Sequence, residues 1–247
     1  MARLDQNVAI VTGAAGGIGS AICRQFLAEG ARVVALDINP APLDTLVAES
    51  GGRCLALSSD VSSEADIEDA VAQTVATYGG LDIIVNNAIY DLPLAPLTEI
   101  SLADWRRTWA VNLDGAFLLS RAAIPRMEAR GGGSIIHIAS QLGRTAKPGR
   151  PWYCAQKGAL INLARAMALD HAAQGIRVNC LSPGPVETDR YLRNFPSRAA
   201  AQESANTMLG RIGQPDEIAA GAVFLASSES SYMTGADLLI DGGYTAW

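Results

Sequence analysis

Three side chains in the middle of the sequence have types and spacing that suit acid–base chemistry. Tyr153 and Lys157 are four residues apart at the start of a predicted helix, so they share one helix face, and Ser140 closes the apolar segment before them. A nearby ammonium group favours the phenolate form of a tyrosine, although lowering its pKa from about 10 to about 7 requires roughly 4 kcal/mol. A serine hydroxyl can donate a hydrogen bond to an oxygen that gathers negative charge. A tyrosine and a lysine at this spacing are also common in structural roles, and the pair alone leaves that alternative open.

A glycine-rich turn near the N-terminus suits phosphate binding. The sequence Thr12-Gly13-Ala14-Ala15-Gly16-Gly17-Ile18-Gly19 follows an apolar segment and opens a predicted helix. Glycine lets the backbone approach a ligand closely, and the helix N-terminus offers unpaired N–H groups to a phosphate. The context of strand, glycine turn and helix predicts a dinucleotide site.

Asp37 ends the second apolar segment and bears on the choice of cofactor. A carboxylate at that place accepts hydrogen bonds from ribose hydroxyls and repels a 2′-phosphate. Neither residues 14–18 nor the residues directly after Asp37 include a lysine or arginine, which favours NAD over NADP. The alternative is a turn or helix-capping aspartate before Asn39 and Pro40.

Apolar segments of about six residues alternate with segments of helical periodicity along the whole chain. Predicted strands are Val8–Thr12, Arg32–Leu36, Cys54–Ser58, Ile83–Val85, Ser134–Ala139, Arg177–Leu181 and Asp237–Ile240. Predicted helices are Ile18–Glu29, Pro42–Glu49, Glu64–Tyr78, Leu102–Arg130, Tyr153–Ala173 and Asp216–Ala226. This alternation predicts a single doubly wound α/β domain of the Rossmann type over residues 1–247, with a seven-stranded, mostly parallel sheet. The polar residues 189–207 break the pattern and are expected to form a short irregular lid over the substrate.

Composition excludes several classes of protein. The chain has 247 residues, of which 49% are hydrophobic and 18% charged, so it can build a large core and is not a disordered chain. The net charge of -6 gives no reason to expect a nucleic-acid partner, and no apolar run is long enough for a membrane span. Four scattered cysteines and two isolated histidines predict neither disulfides nor a metal site. Without a recognisable signal peptide, a cytoplasmic location is expected.

Taken together, the motifs make the chain resemble the short-chain dehydrogenase/reductase family over essentially its full length. The resemblance rests on the glycine turn, Asp60-Val61, Asn86-Asn87-Ala88, Asn112, Ser140, Tyr153-Cys-Ala-Gln-Lys157, Pro183-Gly184, Thr188 and Asp241-Gly242-Gly243. It implies an oxidoreductase that moves a hydride between NAD(H) and a small alcohol or ketone, usually as a homotetramer.

The resemblance also implies residue roles. In the implied catalytic tetrad, Tyr153 exchanges the proton, Lys157 lowers its pKa and binds the nicotinamide ribose, Ser140 orients the substrate, and Asn112 holds a relay water. The implied cofactor residues are Gly13, Gly17, Ile18, Gly19, Asp37, Asp60, Val61, Asn86, Ala88, Tyr153, Lys157, Pro183, Val186 and Thr188.

Two positions depart from the family pattern. Ile89 stands where relatives usually have a glycine, and a β-branched residue does not readily adopt a positive φ. Either the backbone at Ile89 has an ordinary negative φ, or the loop has moved from its usual position in the family. The Ile89 side chain is expected to narrow the space beside the nicotinamide. Gln156 replaces a common serine and is expected to affect only packing on the cofactor side.

The segments expected to line the substrate pocket are 89–96, 141–152 and 186–198. They contain apolar side chains, Leu142 among them, and a local basic excess of Arg144, Lys147, Arg150, Arg190, Arg193 and Arg198. Some relatives that oxidise hydroxy acids carry an arginine at the place of Arg150, and the planar guanidinium matches a carboxylate. We therefore expect an anionic alcohol held by Arg150 and Arg193. The alternatives are a solvated surface turn at Arg150, neutral aryl or alkyl carbinols or sugars as substrates, and an NAD(H)-sensing scaffold without catalysis.

Overall fold

The architecture is one parallel sheet with helices on both faces, seen in a computed structural model that describes residues 2–246. The strands are β1 (Val8–Thr12), β2 (Arg32–Asp37), β3 (Cys54–Ser58), β4 (Ile83–Asn86), β5 (Gly133–Ile138), β6 (Ile176–Pro183) and β7 (Asp237–Ile240). Their order across the sheet is β3-β2-β1-β4-β5-β6-β7, and every neighbouring pair is parallel. The predicted fold class is confirmed, and each predicted strand end lies within two residues of the observed one.

The helices of the described chain mostly match the predicted segments. They are α1 (Gly17–Ala28), α2 (Asp44–Glu49), α3 (Glu64–Tyr78), α4 (Leu102–Trp109), α5 (Gly115–Glu128), α6 (Pro151–His171), α7 (Asp189–Leu192), α8 (Arg198–Glu203) and α9 (Pro215–Ala226). The single helix predicted for Leu102–Arg130 is wrong in one respect: a π turn, Ala110–Asp114, divides it into α4 and α5. Such turns hold an extra residue per turn and are frequent at functional sites.

The segment 189–207 is more regular than its composition suggested. It forms the short helices α7 and α8, so the expectation of an irregular lid is corrected. The Thr188 side chain accepts a hydrogen bond from the Tyr191 N–H, and the Ser197 side chain accepts one from the Ala200 N–H. These two N-caps satisfy backbone donors that a helix of one or two turns leaves unpaired.

Each face of the sheet has its own apolar core. On one face, α1 and α9 pack together over side chains such as Phe26, Ile22 and Val223, all fully buried. On the other, α3 and α5 pack together, and α6 covers β6, around residues such as Leu119 and Ile84. Because both faces are covered, the strands are apolar throughout, as in β1, where all five residues are buried.

The sheet order fixes where a site can form. The chain starts at β1, moves outward to β3, and then returns to the other side of β1 at β4, so the connections leaving β1 and β4 diverge. In open α/β sheets, such a reversal opens a crevice beyond the carboxyl ends of the strands. The glycine turn after β1, the Asn-Asn-Ala segment after β4, Ser140 after β5 and Thr188 after β6 all lie at this edge.

Candidate active site

A cleft of about 510 Å³ opens at the carboxyl edge of the sheet, and we call it the main cleft. Many of the predicted site residues line it: Gly13, Gly17, Ile18, Asp37, Ile89, Ser140, Tyr153, Lys157, Pro183, Val186, Thr188 and Arg193. The fold therefore brings the glycine turn and the candidate acid–base group into one continuous space.

Ser140 and Tyr153 meet at the inner end of the main cleft. The Ser140 side chain accepts a hydrogen bond from the Leu142 N–H at 3.1 Å and donates one to Gln141 Oε1 at 2.9 Å. Its rotamer is thus fixed by the turn that follows β5. The Tyr153 residue is 8% exposed, and Trp152 packs against its ring edge-on, with centroids 5.4 Å apart. Both hydroxyl-bearing side chains are therefore held in a nearly dry environment.

Lys157 lies one helical turn beyond Tyr153 on the same face of α6. Its Nζ is 5.6 Å from the centre of the Tyr153 ring and donates a hydrogen bond to the Ile138 carbonyl at 2.5 Å. Burial raises the pKa of the Tyr153 phenol, but the positive charges of Arg190 and Lys157 outweigh burial, so this pKa lies below its ordinary value. Burial also lowers the pKa of Lys157. This is the electrostatic arrangement that a tyrosine needs in order to work as a base near neutral pH.

Asn112 lies in the π turn and is held by three hydrogen bonds. Its Oδ1 accepts from the Tyr90 N–H at 2.7 Å, and its Nδ2 donates to the Tyr90 carbonyl at 3.0 Å and to Gln156 Oε1 at 2.8 Å. Gln156 in turn donates to Thr108 Oγ1 at 2.8 Å and has no exposed surface. The expectation that Gln156 affects only packing on the cofactor side is therefore wrong, because its amide links Asn112 to α4.

A small cavity separates Asn112 from Lys157. It leaves about 10 Å³ for the centre of a water molecule, and both side chains line it. That room is of the order of what one buried water needs. Asn86 also lines this cavity, not the main cleft, where its neighbour Asn87 is found instead.

The glycine turn leaves room for backbone alone. A Cβ at Gly19 would lie 2.2 Å from the Gly13 carbonyl oxygen, and a Cβ at Gly17 would lie 2.7 Å from the Thr188 side chain. Gly13 has a φ of 62°, which glycine adopts without strain. The N-cap of α1, Gly16, provides no side-chain hydrogen bond, and the first turn of α1 has no acidic residue. The backbone N–H groups at the start of α1 therefore face the open cleft without a capping side chain, which suits the diphosphate of a dinucleotide.

Asp37 lies where the main cleft meets a second cleft of about 420 Å³, the side cleft. Its two carboxylate oxygens accept hydrogen bonds from the Ala15 N–H at 3.0 Å and from the Asn39 N–H at 3.1 Å. The predicted residues Asp60, Val61 and Ala88 line the side cleft. The Asp60 carboxylate is already bound by the backbone and side chain of Ser62, at 2.9 and 2.6 Å.

The predicted arginine clamp is already paired within the protein. The side chain of Asp91 is 6% exposed and lies 2.6 Å from Arg150 and 2.9 Å from Arg193, while Arg190 approaches it to 3.7 Å. Arg150 is itself buried, so it is not the solvated surface residue of the alternative interpretation. Three cations share one carboxylate in this group, which we call the Asp91 cluster.

A third space, the distal cavity of about 330 Å³, continues beyond Ser140 and Tyr153. Leu142 lines it, together with Lys147, Arg150, Arg190 and a group of neutral side chains, and its lining includes no carboxylate. Lys147 forms no ion pair with any carboxylate of residues 2–246, and burial lowers its pKa. The distal cavity is therefore positively charged.

Comparison with known proteins identifies the family. A family model described as "Enoyl-(Acyl carrier protein) reductase" matches residues 13–245, nearly the whole chain. The chain belongs to the short-chain dehydrogenase/reductase family. The D-threitol dehydrogenase of Mycolicibacterium smegmatis is 41% identical over 98% of this chain and 94% of its own. The galactitol 2-dehydrogenase (L-tagatose-forming) of Cereibacter sphaeroides is 43% identical, over 99% and 97%. The cis-4-hydroxycyclohexanecarboxylate dehydrogenase of Sinomonas cyclohexanicum is 38% identical, over 98% and 97%.

Membership confirms the predicted enzyme class: this short-chain dehydrogenase/reductase is an alcohol oxidoreductase of the kind that uses a nicotinamide cofactor. Within residues 2–246, no helix has the length and apolarity to cross a membrane. No group of three or more potential metal-binding side chains occurs in the same range. All four cysteines are unpaired.

The surroundings of Ile89 and of the buried His137 explain what these two side chains do in this dehydrogenase. Ile89 has an ordinary backbone, since the only residues other than glycine with a positive φ in the described chain are Gln6 and Asn206. Its side chain lines both the main cleft and the side cleft. His137 is fully buried beside Asn86, and burial together with Lys157 lowers its pKa to about 4. It is a neutral part of the sheet.

Four further residues belong to this short-chain dehydrogenase/reductase site: sequence analysis did not name Asp91, and it gave Asn87, Arg190 and Lys147 no individual role. Asn87 Nδ2 donates to the carbonyls of Thr12 and Gly13, which fixes the start of the glycine turn. Asp91, Arg190 and Lys147 carry the charge around Tyr153 and the distal cavity. The local basic excess included Arg190 and Lys147, but nothing in the sequence indicated which cations Asp91 would bind.

Proposed function

We propose that this protein is an NAD-dependent dehydrogenase that oxidises a small secondary alcohol to a ketone, with Tyr153 as its acid–base group. One observation carries the proposal. The main cleft is lined by Ser140, Tyr153 and Lys157 and also by the glycine turn, which suits a dinucleotide. An alcohol bound there has its hydroxyl beside a phenol whose pKa is already lowered.

Each residue then has a defined part in the reaction. Bound NAD supplies the acceptor for the hydride that leaves the carbinol carbon. The Tyr153 phenolate takes the proton of the substrate hydroxyl, and Ser140 turns its O–H from Gln141 Oε1 to donate a hydrogen bond to the same oxygen. Lys157 stabilises the phenolate, and the small cavity between Lys157 and Asn112 has room for one water, which would link the two side chains. The reverse order of steps reduces a ketone.

Cofactor binding is distributed over the remaining predicted residues. The glycine turn with Gly13, Gly17, Ile18 and Gly19 would hold the diphosphate, Asp37 the adenosine ribose, and Asp60 with Val61 the adenine. Lys157 would bind the nicotinamide ribose and Thr188 the carboxamide, and Pro183 and Val186 would form the wall of the main cleft. Ala88 would contact the cofactor from the side cleft, and Asn86, which lines the small cavity, keeps its place along the cofactor from the resemblance alone. Support comes from the two clefts that all of these residues except Gly19 and Asn86 line, and from the close packing of Gly17 against Thr188.

The preference for NAD rests on charge. Asp37 places a carboxylate between the main cleft and the side cleft, held there by two backbone N–H groups. Arg107 is the cation that lines the side cleft, and its guanidinium lies 4.7 Å from the centre of the Tyr90 ring. Stacking leaves the in-plane N–H groups of Arg107 free, so the preference rests on Asp37, whose carboxylate lines both clefts and would repel a 2′-phosphate.

For the substrate, we propose an alcohol with an acidic group, which the distal cavity accommodates. Lys147, Arg150 and Arg190 line that cavity, and of these three cations Lys147 alone has no carboxylate partner within residues 2–246. We also propose Arg150 and Arg193 as the clamp for the acidic group. To bind it, they would have to give up part of their hydrogen bonding to Asp91. The likeness to a hydroxycyclohexanecarboxylate dehydrogenase agrees with an acidic substrate.

A neutral polyol is the second candidate, and a specific observation favours it. Asp91 already neutralises part of the arginine charge and lines the main cleft, where a carboxylate can accept hydrogen bonds from hydroxyl groups. The threitol and galactitol dehydrogenases among the relatives act on compounds of this kind by their names.

The deciding experiment is NADH formation across hydroxy acids, polyols and neutral carbinols, with NAD and NADP in parallel, for the wild type, Tyr153→Phe and Lys147→Met. We expect turnover with NAD to be highest for hydroxy acids, and Lys147→Met to raise KM for these substrates only. We expect Tyr153→Phe to bind NADH but to lose at least about a hundredfold in kcat. If Tyr153→Phe retains activity within about tenfold of the wild type, the assignment of the acid–base group is wrong. Turnover confined to polyols, with Lys147→Met unchanged, would establish the second candidate.

We also propose a cytoplasmic homotetramer built from single-domain chains. The four unpaired cysteines agree with a reducing compartment. Phe117, Leu169 and Tyr232 are large apolar residues at the surface, which further subunits could cover. Light scattering coupled to gel filtration tests the subunit number directly.

A further inference from the structure

Two cations lie at nearly equal distances from the ring of Tyr153. Lys157 Nζ is 5.6 Å from the ring centre, and Arg190 Cζ is 5.7 Å from it. Lys157 belongs to the same helix as Tyr153, whereas Arg190 comes from α7, beyond the end of β6. Arg190 also lines both the main cleft and the distal cavity, as Tyr153 does.

The charge of Arg190 is the least compensated in the Asp91 cluster. Asp91 forms hydrogen bonds with Arg150 at 2.6 Å and with Arg193 at 2.9 Å, but Arg190 remains at 3.7 Å, outside hydrogen-bonding distance. Three guanidinium groups share this one carboxylate, which leaves a net charge of +2. Asp91 thus keeps Arg190 near the ring without neutralising it.

The other groups around Tyr153 do not duplicate the charge of Arg190. Ser140 lowers the pKa of Tyr153 through a hydrogen bond but carries no charge, and Arg150, 6.0 Å from the ring centre, is bound tightly to Asp91. Lys157 adds its positive charge from α6, on the same helix as Tyr153. A guanidinium stays protonated at every pH at which the enzyme can work, and the pKa of Arg190 is raised further by Tyr153 and Asp91 against the effect of burial.

We propose that Arg190 is a second positioning residue for the acid–base step: held near Tyr153 by Asp91, its guanidinium stabilises the phenolate together with Lys157. The proposal rests on the proposed role of Tyr153 and adds a residue to it. Arg190 Cζ lies 5.7 Å from the ring centre, and a unit charge at about that range beside an open cleft changes a pKa by about one unit. Without Arg190, the base form of Tyr153 therefore appears at a higher pH.

The test is the pH dependence of kcat/KM for oxidation of an uncharged secondary alcohol, which removes any effect of Arg190 on an acidic substrate. We compare the wild type with Arg190→Gln, which removes the charge, and Arg190→Lys, which keeps it. Arg198→Gln is the control, because Arg198 is an exposed arginine of α8 that pairs with Glu187 and lines none of the four spaces described.

We expect the acidic limb of the kcat/KM profile of Arg190→Gln to lie about one pH unit higher than that of the wild type. At pH values below this limb, kcat/KM should then be roughly tenfold lower than in the wild type. The limbs of Arg190→Lys and Arg198→Gln should stay near that of the wild type. An Arg190→Gln limb at the wild-type pH overturns the proposal, whatever happens to kcat, because a merely structural role would lower activity equally across the profile.

A second measurement covers the case in which Arg190→Gln turns over too slowly to assay. Tyrosinate absorbance is titrated for the wild type and for Arg190→Gln, each against the same protein with Tyr153→Phe, so that the difference reports Tyr153 alone. We expect that difference titration to move to higher pH in Arg190→Gln, and an unchanged titration overturns the proposal. Activity retained by Tyr153→Phe would instead refute the proposed function, so the two failures are distinguishable.

Discussion

Replacing Gln156 by leucine tests whether the amide that links Asn112 to α4 supports the active site. The side chain is fully buried, and the substitution nearly preserves its volume while removing two hydrogen bonds of 2.8 Å, one from Asn112 and one to Thr108. One N–H of Asn112 then has no acceptor, whereas the Thr108 hydroxyl still donates to the Trp105 carbonyl. Leaving one buried donor unpaired costs about 1–3 kcal/mol, so we expect a net loss of about 2 kcal/mol.

For a chain of this length, such a loss lowers Tm by about 4–8 °C. The two bonds between Asn112 and the Tyr90 backbone remain, so kcat should fall by much less than the roughly hundredfold loss caused by removing an acid or base. Thermal and urea unfolding are measured at equal protein concentration, since association contributes to apparent stability.

Gln73→Leu is the matched control, because Gln73 is an exposed residue of α3 that bonds only to Asp69. Equal stability of Gln156→Leu and Gln73→Leu would refute the structural role of the buried amide. Thr108→Val completes a double-mutant cycle with Gln156→Leu. If the two effects simply add, the 2.8 Å contact between these side chains carries no coupling energy.

Two further predictions concern the cofactor residues. Asp37→Asn removes a carboxylate charge, so kcat/KM with NADP should rise by at least about tenfold relative to NAD, while the exposed charge change Asp44→Asn leaves the ratio unaltered. An unchanged ratio in Asp37→Asn would exclude Asp37 from cofactor choice. Gly19→Ala places a Cβ 2.2 Å from the Gly13 oxygen and should cost more than about 2 kcal/mol in unfolding free energy. Gly16→Ala, with 3.4 Å to the same oxygen, should cost less than about 1 kcal/mol, and equal losses would contradict the steric argument.

Much of the fold could be predicted because its signals are local. The strands are short apolar runs of the kind buried on both faces, and the glycine turn and the helix starts obey steric and hydrogen-bonding rules that act within a few residues. The π turn after Trp109 was missed, since its residues have ordinary helical periodicity and nothing in their types signals an extra residue. The helices α7 and α8 were missed because they are too short for periodicity to show.

The residues of the candidate site also fall into two groups, those that local spacing reveals and those whose partners are distant in the sequence. Tyr153, Lys157 and the glycine turn could be proposed from the sequence because their spacing lies within one element, and the structure places all three beside one cleft. Gln156 was misjudged because its partner Asn112 is 44 residues away, and the sequence does not say which buried amides will face each other.

By itself, then, the sequence determined the α/β architecture, the family and the positions of the candidate acid–base and phosphate-binding groups. Only the tertiary structure decided how charge is distributed around them. Asp91 binds Arg150 and Arg193, from which it is separated by 59 and 102 residues, and Arg190 faces Tyr153 from α7. The reason is physical: an ion pair between loops depends on which strand ends the sheet order brings together, and local preferences carry no record of that order.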